Sequence, residues 1–192
     1  MLRIDRKLVF LDIEATSLDP LSARPWEVAL IERWPGGSER RTWIMVSDVD
    51  LTDADPESLE VGRFEERHRS DGRARWLSEG LAALWLSRRL ERGCTVVGSN
   101  VAGYDLPILA GMLGRHGYVP GWHHHPIDLV TWTQAREASS PFATVSLQDG
   151  SYSLSELAGA ARPAPEVAHT AMGDASWARS WWDALTETVV AS

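Results

Sequence analysis

The chain of 192 residues is long enough for one α/β domain with a sizeable core. Its 44% hydrophobic and 24% charged side chains are typical of an ordinary globular protein, and no stretch approaches the roughly 20 apolar residues of a membrane span. The net charge of −8 argues against a broad basic surface that coats duplex nucleic acid, but not against a protein that holds only a strand end.

The cysteine content and the N-terminal segment predict a cytoplasmic protein. Cys94 is the only cysteine, which excludes an internal disulfide and fits a reducing compartment. It lies in an apolar run, where a buried thiol is expected. The apolar segment near the N-terminus is short and is interrupted by Asp12, so we do not expect a signal peptide.

The first part of the chain predicts three strands. Residues 7–13 form an apolar run, and two further strands are expected over residues 26–34 and 39–46. The turn sequence Pro35-Gly36-Gly37-Ser38 between the latter two indicates an antiparallel hairpin. Residues 47–72 are polar and irregular, with one helical piece beginning near Pro56.

The rest of the chain alternates helices with short apolar segments. Apolar residues at helical spacing predict helices over residues 73–92, 104–116 and 170–188, and a capping-box spacing from Ser153 to Glu156 indicates a short helix. A β-branched strand is expected over residues 94–98 and a short apolar piece over residues 126–133. This order predicts a mixed sheet with helices on both faces, in a single domain over residues 1–192.

Acidic side chains occur at three separated places in this pattern. Asp12 and Glu14 are two residues apart on a strand, so both point to the same face, roughly 7 Å apart along the strand. Asp105 opens a helix, and Asp174 lies where the last helix begins, five residues after His169. Taken singly, each has an ordinary explanation as a solvated strand end, a helix cap or an exposed residue.

Together the four carboxylates indicate a metal site. If the fold brings them to one point, they repel one another strongly unless cations lie between them. Carboxylate oxygens favour Mg²⁺ or Mn²⁺ over zinc, and such ions commonly serve phosphate chemistry. A histidine on a loop beside the ions can accept a proton from an attacking water.

The remaining histidines favour surface positions. His123, His124 and His125 precede Pro126 in a predicted loop, and consecutive side chains are expected to diverge, so we interpret them as a solvated turn instead of a transition-metal site. His68 and His116 have no partner nearby in sequence and are also expected at the surface.

The three acidic motifs, in this order and at these separations, resemble those of the DEDDh branch of the DnaQ-like, RNase H-fold 3′→5′ exonucleases. Residues 12–20 are similar to the family's Asp-x-Glu-x-Thr-x-Leu pattern, residues 100–105 to its second motif and residues 169–175 to its third. Trp26-Glu27-Val28-Ala29 is similar to the strand that follows the first motif. The resemblance covers about residues 7–186, whereas residues 47–72 carry no family signature.

The resemblance implies a three-layer RNase H-like fold with a mixed five-stranded sheet, and a two-metal exonuclease that releases nucleoside 5′-monophosphates from the 3′ end of single-stranded DNA or RNA. It implies two Mg²⁺ or Mn²⁺ ions and a general base. The implied metal ligands are Asp12, Glu14, Asp105 and Asp174, and the implied base is His169. The implied contacts to the terminal nucleotide are Ala15, Thr16, Leu18, Asn100 and Tyr104.

Two other functions remain compatible with the sequence. One is a catalytically silent nucleic-acid-binding or assembly module on the same fold, since a fold alone does not determine function. The other is an RNase H-like endonuclease, whose acidic set does not need His169 before the last aspartate. The sequence also leaves open whether the protein acts as a homodimer or within a polymerase or repair complex, and whether it prefers DNA or RNA.

Overall fold

A computed structural model of the chain describes residues 5–70, 72–91, 93–139, 146 and 148–188. The strands are β1 (Leu8–Ala15), β2 (Pro25–Arg33), β3 (Glu39–Val46), β4 (Arg75–Leu77), β5 (Thr95–Gly98) and β6 (Ile127–Asp128). The helices are α1 (Pro56–Val61), α2 (Phe64–Ser70), α3 (Glu79–Arg89), α4 (Asp105–Arg115), α5 (Leu129–Ala138), α6 (Ser151–Leu157) and α7 (Ala171–Thr188).

The strands form one mixed sheet in the order β4-β3-β2-β1-β5-β6. The pairs β1–β2 and β2–β3 are antiparallel, whereas β1–β5, β5–β6 and β3–β4 are parallel. The predicted hairpin between β2 and β3 is confirmed, and Gly37 closes its turn at a φ of 82°, a conformation that glycine adopts without steric cost. Parallel pairing brings the carboxyl ends of β1, β5 and β6 to one edge, the usual place for a ligand in α/β sheets.

Side chains of β1 point alternately to the two faces of the sheet, and helices pack on both faces, so the protein has three layers. Val9, Leu11 and Ile13 pack with α3 and α4 on one face. Leu8 and Phe10 pack with α5, α6 and α7 on the other face. Since side chains alternate along a strand, Asp12 and Glu14 continue the row of Leu8 and Phe10 beyond the end of this second core.

The expected number of five strands is wrong, because the sheet has six. The predicted helix over residues 73–92 begins only at Glu79, and residues 75–77 instead pair with the edge strand β3. Ser78 caps α3 by accepting a hydrogen bond from the backbone N–H of Leu81 at 3.4 Å. Pairing with an open sheet edge therefore overrides the helical periodicity before this cap.

Two local expectations are also corrected. The predicted capping box at Ser153 is wrong, because α6 begins at Ser151 and its N-cap residue is Gly150. His68 is half-buried, since its ring stacks on Phe64 at 4.5 Å and its Nε2 lies 2.7 Å from the carbonyl oxygen of Val46. Residues 126–133 form the two-residue strand β6 followed directly by the first turns of α5.

Among the described residues, no helix combines the length and the apolar character that a membrane span requires.

Candidate active site

Three of the predicted carboxylates meet at the carboxyl end of β1. Asp12 and Glu14 project from this strand, and Asp174 lies in the first turn of α7. One carboxylate oxygen from each of the three lies within 4.8 Å of the other two. The sheet and the last helix thus bring together side chains that are 160 positions apart in sequence.

Asp105 lies on the same cavity but is bound differently. It occupies the first position of α4, is 3% exposed and accepts a hydrogen bond from the backbone N–H of Ile13 at 3.0 Å. It lies outside the group of three oxygens that approach within 4.8 Å. Its side chain therefore ties α4 to β1 beside Asp12, which a simple helix cap would not do.

His169 lies on the exposed loop directly before α7, as the sequence predicts. Its backbone adopts a φ of 55°, and its backbone N–H donates to Oδ2 of Asp174 at 3.1 Å. The glycine before Asp174 permits this close loop, because a Cβ on Gly173 would lie 2.0 Å from the carbonyl oxygen of Val167. The loop is thus packed tightly against the helix start that carries Asp174.

A cavity of about 430 Å³ connects these groups with most of the predicted nucleotide contacts. Ala15, Leu18, Asn100 and Tyr104 line it, and the Leu18 side chain is 75% exposed at its edge. Tyr104 is held in place by donating its hydroxyl proton to the carbonyl oxygen of Ser17 at 2.9 Å. The geometry therefore leaves Leu18, one of the implied nucleotide contacts, free to contact a base.

Thr16 does not line this cavity. It is 1% exposed, and its hydroxyl oxygen accepts a hydrogen bond from the backbone N–H of Arg24 at 2.9 Å. Its backbone N–H donates to Arg24, and its carbonyl oxygen accepts from the N–H of Asp55. Thr16 holds the turn after β1, and we assign it no contact with a nucleotide.

The segment over residues 47–72, which carries no family signature, supplies one wall of the site. The predicted helix at Pro56 is confirmed as α1, which Asp55 caps by accepting from the N–H groups of Glu57 and Ser58. A Cβ on Gly62, after α1, would lie 3.1 Å from Oε2 of Glu14. The Asp55-Pro56 pair was the only readable signal for this wall.

An ion pair that the sequence did not reveal holds the histidine loop. Glu27 on β2 is fully buried, forms an ion pair with Arg67 of α2 and accepts a hydrogen bond from the backbone N–H of Ala171 at 3.0 Å. Arg67 in turn donates to the carbonyl oxygens of His169 at 3.0 Å and Gly62 at 2.9 Å. A glutamate inside the otherwise apolar run of β2 was the available signal, since a buried charge needs a partner.

Burial raises the pKa values of the carboxylates in the cluster. Burial, together with the nearby Asp105 and Asp174 carboxylates, raises the pKa of Asp12 well above its usual value. Burial and the neighbouring Glu27 raise the pKa of Glu14 to about 8. Burial also raises the pKa of Asp105 to about 8 and that of Asp174 to about 6. Without cations, the folded protein therefore holds protons on this cluster near neutral pH.

The donor set fits divalent metal ions. Oδ1 of Asp174 is buried and has no hydrogen-bond partner among the described residues, and Asp174 is one of the three convergent carboxylates. An uncompensated buried acceptor is costly, and a cation would satisfy it. Carboxylate oxygens alone suit hard ions such as Mg²⁺ and Mn²⁺.

We expect the stability of the metal-free protein to fall as the pH rises from about 4 to 8. The folded pKa values of Glu14, Asp105 and Asp174 lie above their ordinary values, so the folded state binds more protons than the unfolded state in this window. A divalent ion replaces those protons, so its stabilising effect should grow with pH. At a hundredfold excess over its dissociation constant, Mn²⁺ should raise the melting temperature at pH 8 by about 5–10 °C. Melting curves in Mn²⁺ and in EDTA test this, and equal shifts at pH 5 and pH 8 would contradict it.

We expect Arg67→Ala to lower the free energy of unfolding by about 3–5 kcal/mol, since it leaves the Glu27 carboxylate buried without its cation. Arg69→Ala is the matched control, because Arg69 lies on the same helix and its ion pair with Glu65 is largely exposed. Adding Glu27→Gln to Arg67→Ala should recover part of the loss. Denaturant unfolding measures the three variants and the unaltered protein, and equal losses for the two single alanine variants would remove the structural role of the pair.

The three consecutive histidines do not diverge as expected. Their ring centroids are 4.1–5.3 Å apart, and one ring nitrogen of each lies within 4.8 Å of the other two. The backbone N–H of His125 folds back to Nδ1 of His123 at 3.2 Å, which draws the rings together. His124 and His125 are exposed. The geometric argument against a shared ligand is therefore wrong, and the solvated turn stays a prediction.

The strand order and the three layers define an RNase H-like α/β fold, and the same fold occurs in DnaQ-like 3′→5′ exonucleases. Solved structures of E. coli exonuclease I are similar to this chain. The zinc-bound complex with single-stranded DNA has a TM-score of 0.68 at 18% identity and covers 97% of this chain and 41% of its own. The complex with a dT13 oligonucleotide has a TM-score of 0.69 at 18% identity, and the match covers 95% of this chain and 41% of the exonuclease I chain. A product-bound exonuclease I structure has a TM-score of 0.69 at 16% identity, and the match covers 96% of this chain and 44% of the exonuclease I chain.

These similarities confirm the fold that the sequence motifs implied. The chain spans about two fifths of the length of the exonuclease I structures it matches. No family model matches the sequence, and no curated protein matches it either.

Proposed function

We propose that this protein is a metal-dependent 3′→5′ exonuclease that acts on single-stranded nucleic acid. The observation that carries the proposal is the convergence of Asp12, Glu14 and Asp174 within 4.8 Å, in a cavity that Asp105 and His169 also line. The fold shared with exonuclease I, which has been solved with single-stranded DNA, supports the same function.

The proposed ligands of two Mg²⁺ or Mn²⁺ ions are Asp12, Glu14, Asp105 and Asp174. When bound, the ions supply Lewis-acid stabilisation of the charge that develops on the scissile phosphate. Burial raises the pKa of Asp12, which is close enough to Asp105, Asp174 and Glu14 for their charges to raise it further, and the hydrogen bond from Ile13 fixes the orientation of Asp105. The residues thus present a preorganised acidic surface that needs little rearrangement on binding.

The imidazole of His169 accepts the proton of the attacking water in this proposal. The water oxygen bonds to phosphorus as the bond from phosphorus to the upstream 3′ oxygen breaks. That oxygen takes a proton from solvent and becomes the new 3′-hydroxyl of the shortened strand, and the terminal nucleotide is released as a 5′-monophosphate. The exposed position of His169 at the edge of the cavity lets it reach the water and release the proton to solvent. Arg67 and Asp174 position the loop through its backbone groups, which leaves the imidazole free for this role.

Leu18, Tyr104 and Asn100, which line the same cavity, hold the terminal nucleotide in this proposal. Leu18 projects from the turn after β1, and Tyr104 is fixed by Ser17, so the two can enclose a base. Asn100, at a φ of 55°, borders the same cavity.

We further propose a cytoplasmic location, since the single cysteine is buried and its pKa is raised to about 11, which makes it an inert structural thiol.

The test is a time course on matched 5′-labelled single-stranded DNA and RNA oligonucleotides with Mg²⁺, Mn²⁺ or EDTA. A metal-dependent ladder that shortens from the 3′ end supports the proposal and reveals the sugar preference. A second substrate with a blocked 3′ end separates the activities, because an endonuclease would still cleave it. Binding without cleavage under every metal would contradict the proposal and favour a silent binding module.

A further inference from the structure

A second cavity of about 800 Å³ lies beside the candidate active site, on the other side of the histidine loop. We call it the arginine cleft, because Arg41, Arg63, Arg67, Arg73 and Arg162 line it. Two glutamates share the lining, and Glu27 and Glu156 pair with Arg67 and Arg162, so five arginines and four carboxylates leave one formal positive charge in a chain whose net charge is −8. Five of the 18 arginines in the chain surround this cavity, and a locally positive site of this kind favours an anionic ligand.

The arginine cleft and the candidate active site share one wall. Thr170 and Gly173 face the cleft, whereas their neighbours His169 and Asp174 face the acidic cavity. Arg63 extends from the cleft side and donates to the carbonyl oxygen of Glu166 at 3.3 Å. A chain that leaves the acidic cavity across this loop therefore enters the cleft directly.

Arg41 is the side chain of the cleft that is available to a ligand. It is exposed and has no carboxylate partner within the described part of the chain, unlike Arg162, which pairs with Glu156 at 2.7 Å. Trp177 also lines the cleft but is only 7% exposed.

We propose that the arginine cleft binds the phosphate backbone of the substrate strand on the 5′ side of the scissile bond. This inference rests on the proposed function and extends it from the terminal nucleotide to the upstream strand. The cleft has nearly twice the volume of the acidic cavity, so more than one nucleotide fits. Arginine guanidinium groups match phosphate oxygens, and the half-buried Trp43 lines the same cleft near Arg41.

The test compares Arg41→Gln with Arg40→Gln. The two residues are adjacent on β3, and alternation places them on opposite faces, where Arg40 pairs with Glu32 at 3.2 Å. Both substitutions remove one positive charge from the same strand. Binding of a 5′-labelled single-stranded 12-mer is measured by anisotropy in EDTA over a range of salt concentrations. Cleavage of the 12-mer and of a trinucleotide is measured separately with Mn²⁺.

We expect Arg41→Gln to weaken binding of the 12-mer about tenfold, the effect of one charged hydrogen bond, and to reduce the salt slope by about 0.7, the value for one lost phosphate contact on a single strand. Its kcat/KM should fall for the 12-mer relative to the trinucleotide, and Arg40→Gln should change binding less than twofold. Equal binding by both variants would overturn the inference, while cleavage by the unaltered protein would still support the proposed function. A cleft that takes an acidic peptide instead would bind hexaglutamate in an Arg41-dependent way with unchanged oligonucleotide binding, which also overturns it.

Discussion

Asp12→Asn is expected to lower exonuclease activity by at least about a thousandfold while leaving the fold intact. Asp12 is one of the three convergent carboxylates, and Asp105, Asp174 and Glu14 all act on its charge. Losing its carboxylate removes a proposed ligand of ions that would contribute several kcal/mol to the stabilisation of the transition state. Asparagine has the same size and removes the charge that burial disfavours. In EDTA at pH 8 the variant should therefore melt at or above the temperature of the unaltered protein.

The measurement for Asp12→Asn combines initial rates on a single-stranded oligonucleotide with melting curves in Mn²⁺ and in EDTA. Asp53→Asn is the matched control, because Asp53 is exposed and does not line the cavity. The increase in melting temperature with Mn²⁺ should disappear in Asp12→Asn and persist in the control. Full activity of Asp12→Asn would remove the metal site from the proposal.

His169→Asn is expected to slow cleavage by roughly 10²–10⁴-fold, the usual contribution of a general base. Asparagine tolerates the φ of 55° at this position better than most residues, and the bonds to Asp174 and Arg67 involve only backbone atoms of residue 169. The loop should therefore keep its conformation, and the loss should fall on kcat.

The control for His169→Asn is His116→Asn, an exposed histidine that pairs with Glu79 away from the cavity. The variant His169→Asn should keep the increase in melting temperature with Mn²⁺, which separates loss of the base from loss of the metal ligands. If the rate with saturating Mn²⁺ equalled that of the unaltered protein, His169 would have no part in proton transfer.

The local sequence was sufficient to predict the acidic strand and the elements around it. Two-residue spacing placed Asp12 and Glu14 on one face, because strand alternation needs no knowledge of the partner strands. The turn at residues 35–38 and the helix start at Pro56 depend on local backbone preferences and were predicted for the same reason. The six-stranded sheet was not predicted, since residues 75–77 become a strand only by pairing with β3.

The convergence of the three histidines also required the structure. Spacing predicts diverging side chains, but the hydrogen bond from His125 to His123 bends the backbone and brings the rings together. A loop conformation that depends on one hydrogen bond leaves no periodic pattern in the sequence from which it could be predicted. The roles assigned to the acidic residues stay predictions until the variants are measured.

The sequence by itself determined which side chains are available for the proposed chemistry: the carboxylates of Asp12, Glu14, Asp105 and Asp174, with His169 before the last of them. The tertiary structure decided how they are held. Asp105 is oriented by Ile13 from 92 positions away, and the loop of His169 is held by Arg67 from 102 positions away. Such contacts depend on the packing of distant elements, and local spacing does not encode them. For the same reason the arginine cleft, assembled from β3, α2 and α7, became visible only in the folded chain.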